Sequence, residues 1–272
     1  MDDTSGEPQL GLVGRGRTGE LFDLARWAPS DGAARWIEHF WSVTWDLRGK
    51  PAFDSTVITF PSMHLTREWG TDSPRHGHPL PASLLHGVVD HVFTTTLSEA
   101  GAVVGCRFRP GGFAARFDRT AGEYTGRVVP VDDELFGAPV DFVDDVTLTA
   151  ARMDDAVAAH RADEPAAYPE LLRLMDRIRD DAGIRRVADV MTHSPWSTRT
   201  TQRVFTSFVG VPVEWVVRRY RLQHAALELE TNPDVDGAGL AVRLGWYDQA
   251  HFINDFRAML GCTPGEYAAR HS

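Results

Sequence analysis

The last hundred residues contain the same helical pattern twice, and this duplication restricts the fold more than any other feature of the sequence. In each copy a short segment with apolar residues at helical spacing leads into a tight turn, and a second amphipathic segment follows. The turns lie at 192–196 and at 245–247. A longer stretch from Val213 to about Glu230, again with helical spacing, separates the copies. The C-terminal part of the chain is therefore predicted to be all-α, with two equivalent units joined by a long helix.

Each unit has the order of a helix-turn-helix motif, in which the second helix lies in the major groove of DNA. Ser197 is a good N-cap residue for that helix in the first unit, and Asp248 is one in the second. The outer faces carry side chains that suit DNA, because arginine and glutamine bond base edges and threonine bonds phosphates. The residues predicted to contact DNA are Thr198, Arg199, Thr200, Gln202 and Arg203 in the first unit, and Gln249, His251 and Asn254 in the second.

Over roughly these last hundred residues the sequence resembles the AraC/XylS transcriptional regulators. The matching residues of the first unit and its connecting helix are Ser197, Arg199, Gln202, Arg203, Phe205, Gly210, Pro212, Arg221 and Leu222. Those of the second unit are Gly245, Trp246, Gln249, Phe252, Phe256, Arg257, Gly261, Thr263, Pro264, Glu266 and Tyr267. The resemblance implies a bacterial regulator that binds promoter DNA and whose front domain senses a small molecule or forms a homodimer. For an activator it also implies RNA polymerase as a partner.

Three positions depart from the pattern of that family. Pro195 stands where a glycine is usual in the first turn, Thr201 where a leucine is common, and Asn254 where an arginine is common. Asp248, and Asp255 next to Asn254, would repel phosphate if they faced it. The first unit is therefore expected to read most of the bases, and the second to contact mainly the DNA backbone.

The front part of the chain has a different texture, with short runs of aromatic and β-branched residues separated by Gly, Pro and Asp. These runs, at 36–45, 55–60, 84–89, 91–97 and 102–108, predict a small, mostly-β barrel or sandwich. The segment from Gly105 to Phe113 resembles the N-terminal domain of a subgroup of regulators. The whole chain is thus predicted to be α+β: a flexible arm at 1–30, an effector-binding or dimerisation domain at 31–160, a linker at 161–169 and the DNA-binding domain at 170–272.

Charge and composition support two domains with different roles. The last 103 residues carry thirteen arginines and thirteen acidic residues, so the first 169 carry the whole net charge of −10. Such an acidic front half argues against nucleic-acid binding by bulk electrostatic attraction. The sequence has no run of 18 apolar residues and no apolar core of a signal peptide near its start, so no membrane partner is expected and the predicted location is the cytoplasm.

A ligand site in the front domain is predicted at its aromatic residues. Its members are Trp41, Trp45 and Trp69, with Arg107 and Arg109 of the Arg-Phe-Arg segment, although core packing explains the tryptophans equally well. Cys106 is expected to be a buried apolar residue rather than a redox sensor. The sequence shows no catalytic triad, paired carboxylates or phosphate loop, so no catalytic residue is predicted.

The histidines of the front domain are candidates for a metal site; they are His64, His76, His78, His86 and His91. The spacing from Gly70 to His76 and His78 is similar to the metal-ligand strand of cupins, but 79–83 occupies the place of the expected glutamate. A surface loop without metal or other cofactor is therefore the prediction. The alternative function is a cupin-like small-molecule or metal-binding enzyme with a helical appendage.

Overall fold

A computed structural model describes residues 21–57, 59–71, 74–131, 135–137, 140–160, 163–232 and 235–269. The strands are β1 (Asp23–Trp27), β2 (Ile37–Asp46), β3 (Phe53–Val57), β4 (His64–Gly70), β5 (Ala82–His86), β6 (Phe93–Leu97), β7 (Ala100–Phe108) and β8 (Val128–Pro130). The helices are α1 (Gly112–Phe117), α2 (Val146–Ala159), α3 (Ala167–Asp180), α4 (Val187–Met191), α5 (Thr198–Val204), α6 (Val213–Thr231), α7 (Gly237–Arg243), α8 (Gln249–Leu260) and α9 (Pro264–Ala269). The predicted α+β class, with a strand-rich front and a helical back, is confirmed. No helix of the described part is long and apolar enough to cross a membrane.

The front domain is an open sheet rather than a closed barrel. Six antiparallel strands follow the order β1-β2-β7-β4-β5-β8, and β3 and β6 form a separate two-stranded ribbon. Of the predicted barrel or sandwich, the closed barrel does not form among the described strands, because β1 and β8 remain as two edges of the sheet.

Strand β1 lies inside the predicted flexible arm. It pairs along its whole length with β2, from Asp23 opposite Thr44 to Trp27 opposite Phe40. The two paired segments are separated in sequence, and local composition does not indicate that they pair. The predicted arm therefore extends too far, since it includes β1. Residues 1–20 of that arm lie outside the described residues.

The two faces of β7 have different neighbours. Val104, Cys106 and Phe108 are fully buried, and α2 packs against this strand. Burial raises the pKa of the Cys106 thiol to about 12, so it stays protonated, as expected for a packing residue. On the other face, a Cβ at Gly101 would lie 2.6 Å from the Trp45 ring and one at Gly105 would lie 3.1 Å from the Trp41 ring. The two glycines therefore leave room for the two indoles to lie against the strand.

The C-terminal domain has the predicted duplicated helices, and its caps are those expected. The Ser197 side chain accepts a hydrogen bond from the Thr200 amide at 3.3 Å, and the Asp248 side chain accepts one from the His251 amide at 2.7 Å. Each bond satisfies an amide that has no partner within the first helical turn. The connecting helix α6 runs one residue beyond its expected end at Glu230.

The two domains share one hydrophobic core. The Trp36 and Tyr168 rings stack with centroids 5.2 Å apart, and Thr125 Oγ1 donates to the Gly210 carbonyl at 2.6 Å. Tyr168 is fully buried although it lies in the predicted linker, since α3 already begins at Ala167. The end of that segment is therefore part of the core and not a loose tether.

Candidate DNA-binding surface and ligand cavity

Helix α5 presents a polar face to solvent. Thr198, Arg199, Gln202 and Arg203 are exposed, and Thr200 is half-buried. Within the described part of the chain, the side chains of Arg199, Gln202 and Arg203 form no ion pair or hydrogen bond. Their donors are therefore available to a partner such as DNA.

The inward face of α5 explains how a threonine fits where the related regulators commonly have a leucine. Thr201 is fully buried, and its hydroxyl donates to the Ser197 carbonyl at 3.0 Å and lies 2.8 Å from Ser194 Oγ. Both bonds join the helix to the turn that precedes it. A buried hydroxyl is thus satisfied within the unit, as burial of a polar group requires.

Helix α8 also exposes its predicted contact residues, Gln249, His251 and Asn254. Asp255 does not face outward: it is 16 % exposed and accepts a hydrogen bond from Trp246 Nε1 at 2.9 Å. The carboxylate of Asp255 is therefore not presented to a phosphate group at the surface. It holds the turn of the second unit against its second helix.

An exposed aromatic residue stands next to α8. Tyr247 is 92 % exposed, directly before the N-cap of the helix. The sequence pattern placed it in the turn without assigning it a role. Its phenol adds a large apolar and hydrogen-bonding surface beside the predicted contact residues.

Arg221 ties the two helix-turn-helix units together. From α6, its guanidinium donates to the Leu244 carbonyl at 2.8 Å and to the Arg185 carbonyl at 3.2 Å, and it lies 3.9 Å from the Trp246 ring centroid. Arg185 precedes the first unit, and Leu244 and Trp246 belong to the second turn. This arginine therefore links the segment that precedes the first unit to the turn of the second unit.

The front domain contains a cavity of about 200 Å³ between the six-stranded sheet and the β3–β6 ribbon. Its wall is mainly apolar. Of the predicted ligand-binding residues, Trp41, Trp45 and Arg107 line it.

Trp69 and Arg109 do not line the cavity. On β4, alternate residues point to opposite faces, so Thr66 and Glu68 face the cavity and Trp69 faces the other way. Arg109 lies beyond the end of β7 and donates to the Ala34 carbonyl at 2.9 Å. The structure therefore places these two predicted residues away from the candidate ligand cavity.

Arg107 places a charge in the cavity wall. It forms an ion pair of 2.6 Å with Glu38, and its guanidinium carbon lies 4.1 Å from the Phe60 ring centroid. Burial alone would raise the pKa of Glu38, but the attraction and hydrogen bond of Arg107 outweigh it and lower that pKa below its ordinary value. Glu38 is therefore a carboxylate at neutral pH.

Four histidines, which are His39, His64, His76 and His86, line the same cavity. Burial, with repulsion from Arg107, lowers the pKa of His39 to about 4 and that of His64 well below its ordinary value. Trp41 Nε1 donates to His64 Nδ1 at 3.2 Å. These two rings are therefore neutral at neutral pH.

The predicted surface loop is wrong for His76, which lies in the cavity wall beside Glu68 and His86. Burial lowers the pKa of His76 to about 4; Glu68 has a pKa of about 2, because its hydrogen bond and attraction to His86 outweigh its burial. His78 and His91 lie apart from this group: His78 Nε2 is 3.2 Å from the Val128 carbonyl, and His91 pairs with Asp90 at the surface. The sequence pattern did not identify Glu68, because the cupin pattern places its glutamate after the histidines and Glu68 precedes them.

A buried arginine connects the cavity wall to the second helix-turn-helix unit. Arg219 of α6 donates to the Thr59 carbonyl at 2.6 Å and to Thr59 Oγ1 at 3.0 Å, and it reaches the Met259 carbonyl at 3.4 Å. Thr59 lines the cavity, and Met259 belongs to α8. Burial lowers the pKa of Arg219 to about 9, so it still carries its charge at neutral pH.

Two family models match the chain, one in each domain. Residues 25–130 match a domain of unknown function (DUF6597), and residues 193–270 match a helix-turn-helix domain. The boundaries agree with the strand-rich domain and with the two helical units described above.

Two curated relatives align with the helical part. The HTH-type transcriptional activator AarP of Providencia stuartii is 34 % identical over 79 residues, which are 29 % of this chain and 58 % of AarP. The putative HTH-type transcriptional regulator YkgA of Escherichia coli is 31 % identical over 86 residues, 31 % of this chain and 35 % of YkgA. The chain thus spans about half the length of these relatives.

Solved structures of ToxT from Vibrio cholerae are similar over most of the chain. One of them is bound to (E)-4-(8-methylnaphthalen-1-yl)but-3-enoic acid; its alignment covers 93 % of this chain and 100 % of the ToxT chain, at 10 % identity and a TM-score of 0.41. Another, at 1.65 Å resolution, covers 92 % and 97 % at 9 % identity, with a TM-score of 0.39.

Proposed function

We propose that the protein is a sequence-specific regulator of transcription of the AraC type that responds to a small molecule, because residues 193–270 match a helix-turn-helix domain and align with the transcriptional activator AarP. The observation that supports the proposal most is the polar face of α5. It holds Arg199, Gln202 and Arg203 exposed, on a helix whose opposite face is fixed in the core by Thr201 and Phe205. A face of this kind has the donors that bond guanine and adenine in the major groove.

The second unit is proposed to assist the first. Gln249, His251 and Asn254 offer amide and imidazole groups instead of arginines, so α8 is expected to contact the backbone and few bases. Arg221 fixes the two units relative to each other. Because the two helix-turn-helix units are joined rigidly, a monomer is then able to contact two adjoining major-groove segments without a second subunit.

The cavity is proposed as the effector site. Its apolar wall, with the indoles of Trp41 and Trp45 and the charge of Arg107, suits a small molecule with an apolar body and a polar group. Arg219 bonds Thr59 in the cavity wall and Met259 in α8. A small molecule bound in the cavity is therefore able to affect DNA binding by α8 through this side chain.

The remaining partners follow from the regulatory role. A regulator of bacterial promoters acts in the cytoplasm, and an activator contacts RNA polymerase. Homodimerisation through α2 remains a prediction: the helix buries Ala150, Met153 and Val157 within its own chain and leaves Leu148 54 % exposed.

A selection from randomised double-stranded DNA, with the full-length chain at near-physiological salt, tests the proposal. We expect enrichment of one asymmetric motif. On that motif Arg203→Ala and Arg199→Ala are each expected to weaken binding by about 1–3 kcal/mol, which is the range for loss of a bidentate base contact. Arg48→Ala is the matched control, because it removes the same charge from an exposed turn of the front domain.

The controls separate base reading from general charge effects. If Arg48→Ala weakens binding as much as Arg203→Ala does, the contacts are not specific to α5. If the selection yields no motif, with and without added cell extract as a source of effector, the proposed function is wrong.

A further inference from the structure

We propose that Glu68, His76 and His86 form a binding site for one divalent transition-metal ion in the wall of the front-domain cavity. The carboxylate comes from β4, the first imidazole from the turn after it, and the second from the end of β5. The inference goes beyond the proposed regulatory function and does not depend on DNA binding.

The separations between the ligand atoms suit a metal ion of the size of Zn²⁺. Glu68 Oε2 lies 3.7 Å from His76 Nε2, and Glu68 Oε1 lies 3.2 Å from His86 Nε2. One ligand atom from each of the three residues falls within 4.8 Å of the others. Ligands at about 2.0–2.2 Å from a tetrahedral ion are roughly 3.3–3.6 Å apart. Each imidazole lies close to that separation from one oxygen of the carboxylate, His76 from Oε2 and His86 from Oε1.

The surroundings hold the three side chains in place. Thr66 Oγ1 donates to Glu68 Oε1 at 3.0 Å, and Arg75 Nη1 donates to Glu68 Oε2 at 3.4 Å. The His76 ring stacks on Phe93 with centroids 5.6 Å apart. Hydrogen bonds and packing of this kind around metal ligands orient them and increase affinity.

The chemistry of the set indicates a transition metal rather than calcium or magnesium. Two imidazoles with one carboxylate suit zinc, iron or nickel, while calcium and magnesium prefer ligand sets made of oxygen alone. Three protein ligands leave a coordination position free, and all three residues line the cavity. An effector with a donor atom is then able to complete the coordination of the ion.

Charge in the cavity wall favours an anionic donor at that position. Arg26, Arg75 and Arg107 line the cavity, and two carboxylates lie against them: Glu68, which pairs with Arg75, and Glu38, which pairs with Arg107. A bound divalent ion adds to this positive charge. The effector class that follows is a small, largely apolar molecule with a carboxylate or similar anionic donor.

Metal uptake by the full-length chain without an affinity tag tests the site. After treatment with a chelator and dialysis, titration with Zn²⁺ in a calorimeter is expected to give one ion per chain. Co²⁺ in the same site is expected to show the intense visible absorption of four- or five-coordinate cobalt. Glu68→Gln, His76→Ala and His86→Gln are each expected to weaken binding by about tenfold or more.

His91→Ala is the matched control, since His91 is an exposed histidine of the same domain that pairs with Asp90. It is expected to bind Zn²⁺ as the wild type does, and circular dichroism checks that each variant is folded. Absence of binding by the wild type, or undiminished binding by folded His76→Ala, overturns the inference. DNA selection by the metal-free chain keeps the two proposals separate, because motif enrichment without metal uptake contradicts only this site.

Discussion

At the scale of single residues, two arginines three positions apart on α6 differ completely in what they do. Arg218 is 46 % exposed on its side chain and has Asp255 as a distant partner at 3.9 Å. Arg221 bonds the carbonyl group of Arg185, which precedes the first unit, and that of Leu244 in the second unit, and it stacks on Trp246. Helical spacing alone does not distinguish the two residues, since it does not show which carbonyl groups a neighbouring element presents.

Replacement of Arg221 by lysine is expected to destabilise the helical domain. Lysine keeps the charge but loses the planar fork and the stacking, so one carbonyl group is left without its donor. We expect the free energy of unfolding in urea to fall by about 1–3 kcal/mol. Arg218→Lys is the control and is expected to leave it within about 0.5 kcal/mol; equal losses in both variants would contradict the assignment.

The half-buried His39 is expected to make stability depend on pH. Its pKa is about 4 in the folded chain, with burial and Arg107 lowering it and Glu38 opposing them. In the unfolded chain a histidine titrates near 6.5, so the unfolded state takes up the proton first as the pH falls. The free energy of unfolding should therefore decrease between pH 7 and pH 5, by about 1–2 kcal/mol from this residue.

Urea unfolding at both pH values measures the effect. His39→Gln is expected to show a smaller decrease than the wild type. His193→Gln, in the exposed turn of the first helix-turn-helix unit, should retain the wild-type decrease. A His39→Gln variant with the full wild-type decrease would place the pH dependence elsewhere.

At the scale of elements, the Pro-Gly-Gly turn after β7 is a junction between the domains. Gly111 has a φ of 77°, and a Cβ there would lie 2.8 Å from Leu171 Cδ2 on α3. A Cβ on Gly112 would lie 2.5 Å from the Trp36 carbonyl oxygen. The two glycines are therefore needed for close approach between the turn, the sheet and the helix that begins the second domain.

Gly112→Ala is expected to destabilise the whole protein. The added methyl group meets backbone that has no room to move, a form of overpacking that costs about 1–3 kcal/mol. Thermal unfolding measures the loss. Gly265→Ala is the control, because a Cβ at this helical position has open space around it, so its melting temperature should equal or exceed that of the wild type.

At the scale of the whole molecule, the ligand cavity and the helical units belong to one packed body. Trp36 stacks on Tyr168, Thr125 bonds Gly210, and Arg219 joins Thr59 to Met259. An effector in the cavity is thus separated from α8 by one buried side chain. Coupling through such a continuous set of contacts is a physical route for regulation.

The shared core predicts a single cooperative unfolding transition for the full chain. The calorimetric and van't Hoff enthalpies of the wild type should agree. Arg219→Met fills a similar space but loses the bonds to Thr59 and Met259, so we expect it to decrease the protection of α8 amides from hydrogen exchange. Two resolved transitions in the wild type, or unchanged α8 protection in the variant, would contradict this description.

The sequence by itself determined the helical domain almost completely. The caps Ser197 and Asp248 and the long helix from Val213 follow from local signals and from the resemblance that the doubled pattern carries. Helices of this kind depend on residues three and four positions apart, which a single sequence displays directly.

Only the tertiary structure decided the front domain. Strand β1, the open sheet, the positions of Trp69 and Arg109 away from the cavity, and the meeting of Glu68 with His76 and His86 all depend on which strands pair and in what register. β4 pairs with β5 so that His64 lies opposite His86, and alternation along β4 then turns Glu68 to the same face. Such pairing joins residues far apart in the chain, and no local spacing records it, because a strand is stabilised by its neighbours in the sheet rather than by the residues beside it in sequence.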